Sequence, residues 1–162
     1  MTAPLSQLRL VLTLHLHVPY GLGPDAYDRF FKFRLAPTVA ALRDTPDARL
    51  TLHISGTLLR WLALNQGGCA NVLKELVEDG RVELLAGGWS EPFLPALPLR
   101  DAVGQLELQT RVFQGRLGGR PKGGWVSHGA WDPSLVEIFA RANLGYAVVP
   151  GAALLAAGKK VS

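Results

Sequence analysis

Short apolar runs alternate with segments of helical spacing along the chain. Runs rich in Leu, Val and Ile are typical of strands buried in a parallel sheet. Five such runs span Arg9 to His17, Arg49 to Ser55, Arg81 to Ala86, Gly124 to His128 and Tyr146 to Val149. Alternation of strands with helices favours right-handed crossovers between parallel strands. The pattern therefore predicts an α/β fold with a parallel sheet.

The segments between the runs are mostly helical. Apolar residues at Val72, Leu73, Leu76 and Val77 share one face of a helix that ends at Gly80. A second helix is predicted to start near Asp101, with Val103, Leu106 and Phe113 on one face. A third is predicted to be capped by Asp132, with Pro133 in its first turn. Residues 18–33 carry Pro, Gly and aromatic residues and predict a long loop.

Composition and charge narrow the class of protein. The chain has 162 residues, is 48% hydrophobic and carries a net charge of +4 from scattered basic residues. It therefore has the composition of a globular domain, and we expect neither a nucleic-acid partner nor a membrane partner. Cys69 is the single cysteine, which excludes a disulfide framework and favours a cytoplasmic location.

Polar residues lie where the predicted strands end. His15 and His17 close the first strand on one face, and His128 ends the fourth. Glu91 follows the third strand after Gly87 and Gly88. Ligands of parallel α/β folds bind at the carboxyl ends of the strands, so these four polar side chains are expected around a common cavity. The alternative is that each histidine, including His53 near the end of the second strand, only hydrogen-bonds the backbone.

The candidate site has the chemistry of a sugar-binding surface. Glu91 could accept hydrogen bonds from sugar hydroxyl groups. Trp89, Trp125 and Trp131 offer flat apolar faces for stacking on pyranose rings, although core packing would explain them equally well.

Four segments in order resemble glycoside hydrolase family 57, of the 4-α-glucanotransferase and α-amylase type. His15 to Gly21 resembles its first motif, His-x-His followed by Gln and Pro, with Val18 in place of Gln. Ser55 to Leu62 is similar to the segment after the second strand. Glu83 to Leu94 resembles the second motif and continues into Pro98, Asp101 and Gln105. Gly124 to Pro133 aligns with the third motif. The resemblance covers about Leu10 to Gly158.

The resemblance implies a retaining enzyme on α-glucans, built on a seven-stranded β/α barrel. Retaining hydrolysis needs a nucleophilic carboxylate and an acid/base carboxyl group. The family's nucleophile is a Glu of the third motif, and this sequence has His128 at that place, with Gly129 where Arg is usual. Pro150 and Gly151 replace an Asp pair, and the family's acid/base Asp would lie beyond Ser162.

We therefore expect residues 1–162 to form a single truncated N-terminal barrel domain with about five of the seven strands. The resemblance implies substrate-binding roles for His15, His17, Glu91 and Trp125, and no catalytic residue. The expected protein is inactive and binds α-glucan or maltooligosaccharide weakly, without a cofactor or a metal. Its unpaired edge strands predict self-association or a complementing fragment.

Three alternatives stay open at the level of sequence. The chain could be an active glucan hydrolase or transferase completed by another chain. His15 and His17, with His53 and His128, could instead form a histidine-rich metal site of a barrel hydrolase. A purely structural or partner-binding domain has no dedicated feature in the sequence.

Overall fold

Five parallel strands form the framework of the molecule. The computed structural model describes residues 10–156 and Gly158. The strands are β1 (Thr13–Leu16), β2 (Leu50–Ile54), β3 (Val82–Ala86), β4 (Gly123–Trp125) and β5 (Tyr146–Val148), and they pair side by side in chain order. The sheet curls into part of a barrel. The predicted α/β class, the five strands and their parallel direction are confirmed, while Arg9 lies outside the described residues.

Helices connect successive strands. They are α1 (Pro24–Phe30), α2 (Ala36–Asp44), α3 (Gly56–Asn65), α4 (Gly67–Glu78), α5 (Leu99–Leu117), α6 (Ser134–Arg141) and α7 (Gly151–Ala156). A π-helical turn, Phe31–Leu35, joins α1 to α2, and short 3₁₀ turns span Leu94–Ala96 and Ser127–Gly129. No helix within the described ranges is both long enough and apolar enough to cross a membrane.

Local sequence explains where several helices begin and end. The Ser55 hydroxyl accepts a hydrogen bond from the backbone N–H of Leu58 at 3.4 Å, which caps α3. Gly118 adopts a φ of 71° and closes α5. The carboxylate of Asp132 accepts the backbone N–H of Ser134 at 2.8 Å, at the start of α6.

The two faces of the sheet differ in character. Leu14, Leu16, Leu52, Ile54 and Leu84 lie on one face and pack with the helices in a core cluster. Side chains alternate between faces along a strand, so the other face carries the residues between them. Its members include Thr13, His15, Thr51, His53, Glu83, Trp125 and Tyr146. The helices cover the apolar face and leave the polar inner face to build a site.

Several predicted limits differ from the structure, and β1 ends at Leu16, so that His17 lies just beyond the strand. The predicted loop at residues 18–33 contains α1, because Pro24 fits the first turn of a helix and Tyr27 and Phe30 pack on the core. β4 ends at Trp125, and His128 lies beyond it in a tight turn rather than on the strand. Helix α5 begins at Leu99, after Pro98, which agrees with the predicted start near Asp101.

Candidate functional site at the carboxyl ends of the strands

The first two strands carry the same triplet, Thr-Leu-His, in register. Thr13 pairs with Thr51 and His15 with His53 across the ladder. The two threonine hydroxyls are 2.7 Å apart. Two residues further along each strand, the Nδ1 atoms of His15 and His53 are also within hydrogen-bond distance, at 2.9 Å. The parallel register therefore brings together two imidazoles that are 38 residues apart in sequence.

Glu91 joins this histidine pair from the loop after β3. Its Oε1 atom lies 2.9 Å from Nδ1 of His53 and 3.5 Å from Nδ1 of His15. The residue is only 6% exposed and adopts a φ of 57°, a left-handed conformation that non-glycine residues seldom take. A buried carboxylate held in an unfavourable backbone conformation is a feature of functional sites. We call His15, His53 and Glu91 the triad.

Two residues hold the loop that carries Glu91. Gly87 follows β3 directly, and a Cβ atom there would lie 2.8 Å from Nε2 of His53 and 3.1 Å from Cδ1 of Trp125. Gln109, fully buried on α5, accepts the backbone N–H groups of Gly87 and Gly88 at 2.9 Å each. Its amide also donates to the carbonyl oxygen of Ile54 at 2.9 Å. Gln109 thus joins the ends of β2 and β3 beneath the site.

Trp125 at the end of β4 forms a planar wall. Its ring stacks on His15 at 4.9 Å with an interplanar angle of 13°, and on His53 at 5.8 Å and 20°. The ring of His17 lies 6.0 Å from that of His15. The structure therefore places all four predicted substrate-binding residues, His15, His17, Glu91 and Trp125, in one cluster.

His128 contacts this cluster from the turn after β4. It is exposed and has a φ of 61°. Its Nε2 atom lies 3.1 Å from the backbone carbonyl oxygen of Glu91. The neighbouring Ser127 is buried and donates its hydroxyl to the carbonyl oxygen of Gly87 at 3.1 Å. Both residues hold backbone of the loop that carries Glu91.

The other two tryptophans proposed for stacking lie elsewhere. Trp89 packs so closely on Gly56 that a Cβ atom there would lie 2.1 Å from the indole ring. Trp131 is 39% exposed and lines a separate surface hollow with Phe139 and Tyr146. Trp89 is half-buried and lines a hollow with Leu59 and Val112, and the ring that stacks on His15 and His53 is Trp125.

Burial and mutual contact fix the charges in the site. Burial lowers the pKa of the His15 imidazole, against the opposing effect of Glu91, and burial likewise lowers the pKa of His17. Burial alone would raise the pKa of Glu91, but the close His53 nitrogen and the neighbouring histidines outweigh it and bring that pKa below its ordinary value. Near neutral pH the arrangement combines neutral His15 and His17 with an ionised Glu91.

Several buried polar atoms in or beside the cluster have no hydrogen-bond partner among the described residues. They are Nδ1 of His17, Nε2 of His53, Oε1 of Glu91, Oε1 of Gln105 and Nε1 of Trp125. Buried polar atoms normally have partners, so this set leaves hydrogen-bonding capacity unsatisfied at the carboxyl ends of the strands.

From the sequence, His53 is expected only in the alternative histidine-rich metal site and not among the substrate-binding residues. The repeated triplet was the available signal, because equal patterns on adjacent parallel strands place equal residues side by side. Gln109 was missed entirely. A lone glutamine on a helix gives no sign in the sequence that it faces strand ends.

Fold and site together define a parallel β/α-barrel protein whose polar site lies at the carboxyl ends of its strands. Within that class, the model of "Glycosyl hydrolase family 57" matches residues 13–162. The chain therefore belongs to glycosyl hydrolase family 57, as the sequence motifs predicted.

Sequence and structural similarity to other proteins agrees with this assignment. The chain is 33% identical to alpha-amylase 1 of Dictyoglomus thermophilum over 92% of its own length. The crystal structure of 4-alpha-glucanotransferase from Thermococcus litoralis superposes with a TM-score of 0.88 over 93% of the chain, at 28% identity. An alpha-amylase of Thermotoga maritima shares the fold, with a TM-score of 0.69 over 86% of the chain at 16% identity.

The chain spans between about a fifth and two fifths of the length of these relatives. It covers 22% of the Dictyoglomus protein, 23% of the Thermococcus litoralis chain and 39% of the Thermotoga chain. What the whole relatives do therefore concerns more chain than these residues provide.

Proposed function

We propose that the cluster at the carboxyl ends of β1 to β4 binds α-1,4-linked glucan. The observation that carries this proposal is the convergence of Glu91, His15 and His17 beside the planar face of Trp125. The ionised carboxylate accepts hydrogen bonds from sugar hydroxyls, the accessible imidazoles of His15 and His17 bond to others, and the indole packs on the pyranose ring. Relatives named as α-amylases and 4-α-glucanotransferases support an α-glucan as the ligand.

We further propose that the 162-residue chain binds glucan without cleaving it. In a retaining mechanism two carboxyl groups lie about 5–5.5 Å apart on either side of the scissile bond. The acidic side chain that the described residues place against the histidines is Glu91, buried and in contact with His53. His128 occupies the position that the family resemblance gives to the nucleophile. A glycosyl-imidazolium formed there would be exposed to water, so His128 is a poor replacement for a carboxylate.

A calorimetric titration with maltoheptaose tests binding. The expected dissociation constant is in the millimolar range, on the order of −4 kcal/mol of binding free energy. Glu91→Ala should remove the signal, because it deletes the ionised acceptor. Glu75→Ala, on an exposed part of α4, is the matched control and should leave it unchanged. Binding that is equally strong in both variants, or no saturable binding by the unmodified chain, would refute the proposal.

A further inference from the structure

Three potential metal-ligand atoms converge in the triad. Nδ1 of His15, Nδ1 of His53 and Oε1 of Glu91 are 2.9, 2.9 and 3.5 Å apart. A circle through them has a radius of about 1.8 Å, slightly shorter than the 2.0–2.2 Å bonds from Zn²⁺ to nitrogen and oxygen. An ion could therefore lie about 1 Å above their plane and reach all three with ordinary bond lengths. These distances require little movement of the ligands.

We propose that the triad binds one divalent transition-metal ion, with Zn²⁺ as the best match. Two imidazoles and a carboxylate form a ligand set typical of zinc sites that keep a fourth position open. Zinc binding goes beyond the proposed glucan binding, and the zinc proposal does not depend on the glucan proposal. The metal set differs from the four-histidine set considered from sequence, because Glu91 replaces His17 and His128.

The contacts around Glu91 favour a cation over a hydrogen-bonded pair. A single N–H on Nδ1 of His53 cannot point at both His15 and Glu91, and Oε1 of Glu91 has no hydrogen-bond partner among the described residues. Oε1 of Glu91 is thereby buried without an aligned donor although nitrogen lies 2.9 Å away. A buried anionic oxygen in this situation costs free energy that a cation would recover.

The surroundings hold the ligands and leave a path for the ion. Trp125 stacks on both triad imidazoles and fixes their planes. His128 contacts the backbone carbonyl of Glu91 and limits movement of that residue. The side chain of His15 is 35% exposed, so an ion can approach from solvent on this side. A metal-binding site requires ligands that are held rigidly and a path by which the ion can enter.

Zinc titration of untagged protein, first stripped with EDTA, tests the proposal. Calorimetry should show one Zn²⁺ bound per chain, and the melting temperature should rise on addition of zinc. Co²⁺ should give a visible absorption band whose intensity indicates four or five ligands rather than six. Glu91→Gln keeps the size of the side chain, and His15→Asn removes a partly exposed ligand without opening the core. Each should weaken zinc binding at least about tenfold.

Glu75→Gln is the matched control, since it makes the same change as Glu91→Gln at an exposed position of α4 outside the site. It should retain zinc affinity within about threefold, less than the loss expected on removing even an outer-shell partner. Circular dichroism of each variant identifies a folding defect, and a variant that unfolds is replaced by the other triad substitution. Absence of stoichiometric zinc binding by the unmodified chain would overturn the proposal. Equal loss in Glu75→Gln and Glu91→Gln would also overturn it, because zinc would then bind diffusely and not at the triad.

Discussion

Gly87 lies directly against the rings of His53 and Trp125. A methyl group at this position would lie 2.8 Å from the His53 ring and 3.1 Å from the indole. Both rings are fixed by packing, so Gly87→Ala should displace them and destabilise the fold by about 1–3 kcal/mol. It should also abolish glucan binding. Thermal unfolding and the maltoheptaose titration measure the two effects.

Gly104→Ala provides the control for this substitution. A Cβ atom at Gly104 on α5 would meet no atom within 4 Å. Alanine inside a helix is more favourable than glycine by about 0.5–1 kcal/mol, so this variant should be slightly more stable and bind normally. If the two variants behaved alike, the close packing at Gly87 would not matter for the site.

His128→Glu tests whether one carboxylate restores turnover. The substitution places a second acidic side chain near Glu91, yet Glu91 stays buried against His53 and cannot readily donate a proton at neutral pH. We expect no release of reducing sugar from maltoheptaose by either the unmodified chain or the variant. Product formation above that of a His128→Ala control, in either protein, would contradict the proposed absence of cleavage.

At the scale of elements, Gln109 joins helix α5 to the ends of β2 and β3. Gln109→Leu fills a similar volume but leaves two backbone N–H groups and one carbonyl oxygen without their partner. Since each buried unsatisfied group costs about 1–3 kcal/mol, a loss of at least about 2 kcal/mol in the free energy of unfolding is expected. Urea denaturation measures it. Gln114→Leu, exposed on the same helix, should change stability by much less, and similar losses in both would refute this role.

The elements also show how far the sequence predicts the structure. Apolar runs identified all five strands, because buried parallel strands need continuous apolar residues. The helix at Pro24 was missed since its proline and aromatic residues are equally frequent in loops. Strand β4 was predicted too long because the left-handed turn at His128 depends on contacts with Glu91 and not on local preference.

The site, too, could be predicted only as far as local sequence patterns determine it. Histidines at strand ends and the motif order located His15, His17, Glu91 and Trp125 correctly in one cluster. The roles of these residues as sugar ligands stay a prediction. His53 and Gln109 depend on the register between strands and on how α5 packs, and both are properties of the tertiary structure.

At the scale of the molecule, the two outer strands of the described sheet each have one neighbour. β1 pairs with β2 and β5 with β4. The segment before β1 is apolar and exposed, with Leu10 at 89% and Val11 at 72%. Open apolar edges promote association between chains, so size-exclusion chromatography with light scattering should show species larger than a monomer that grow with concentration.

Val11→Lys should reduce this association, because a charge beside an open edge opposes pairing with another chain. Val136→Lys, at an exposed position on α6, is the control and should leave association unchanged. A chain that stays monomeric at all concentrations, with one sharp transition at high temperature, would mean that the edges are protected.

Glucan binding at the carboxyl ends of the strands is tested most directly by titrating metal-free protein with maltoheptaose and recording two-dimensional ¹H–¹⁵N NMR spectra. The titration reports both whether the glucan binds and which residues it contacts. We predict saturable shifts of the Trp125 indole N–H and of the backbone amides of His15, His17 and Glu91, while amides of helix α4 stay unchanged. The absence of saturable shifts, or shifts confined to residues away from the carboxyl ends of the strands, would contradict glucan binding at this site.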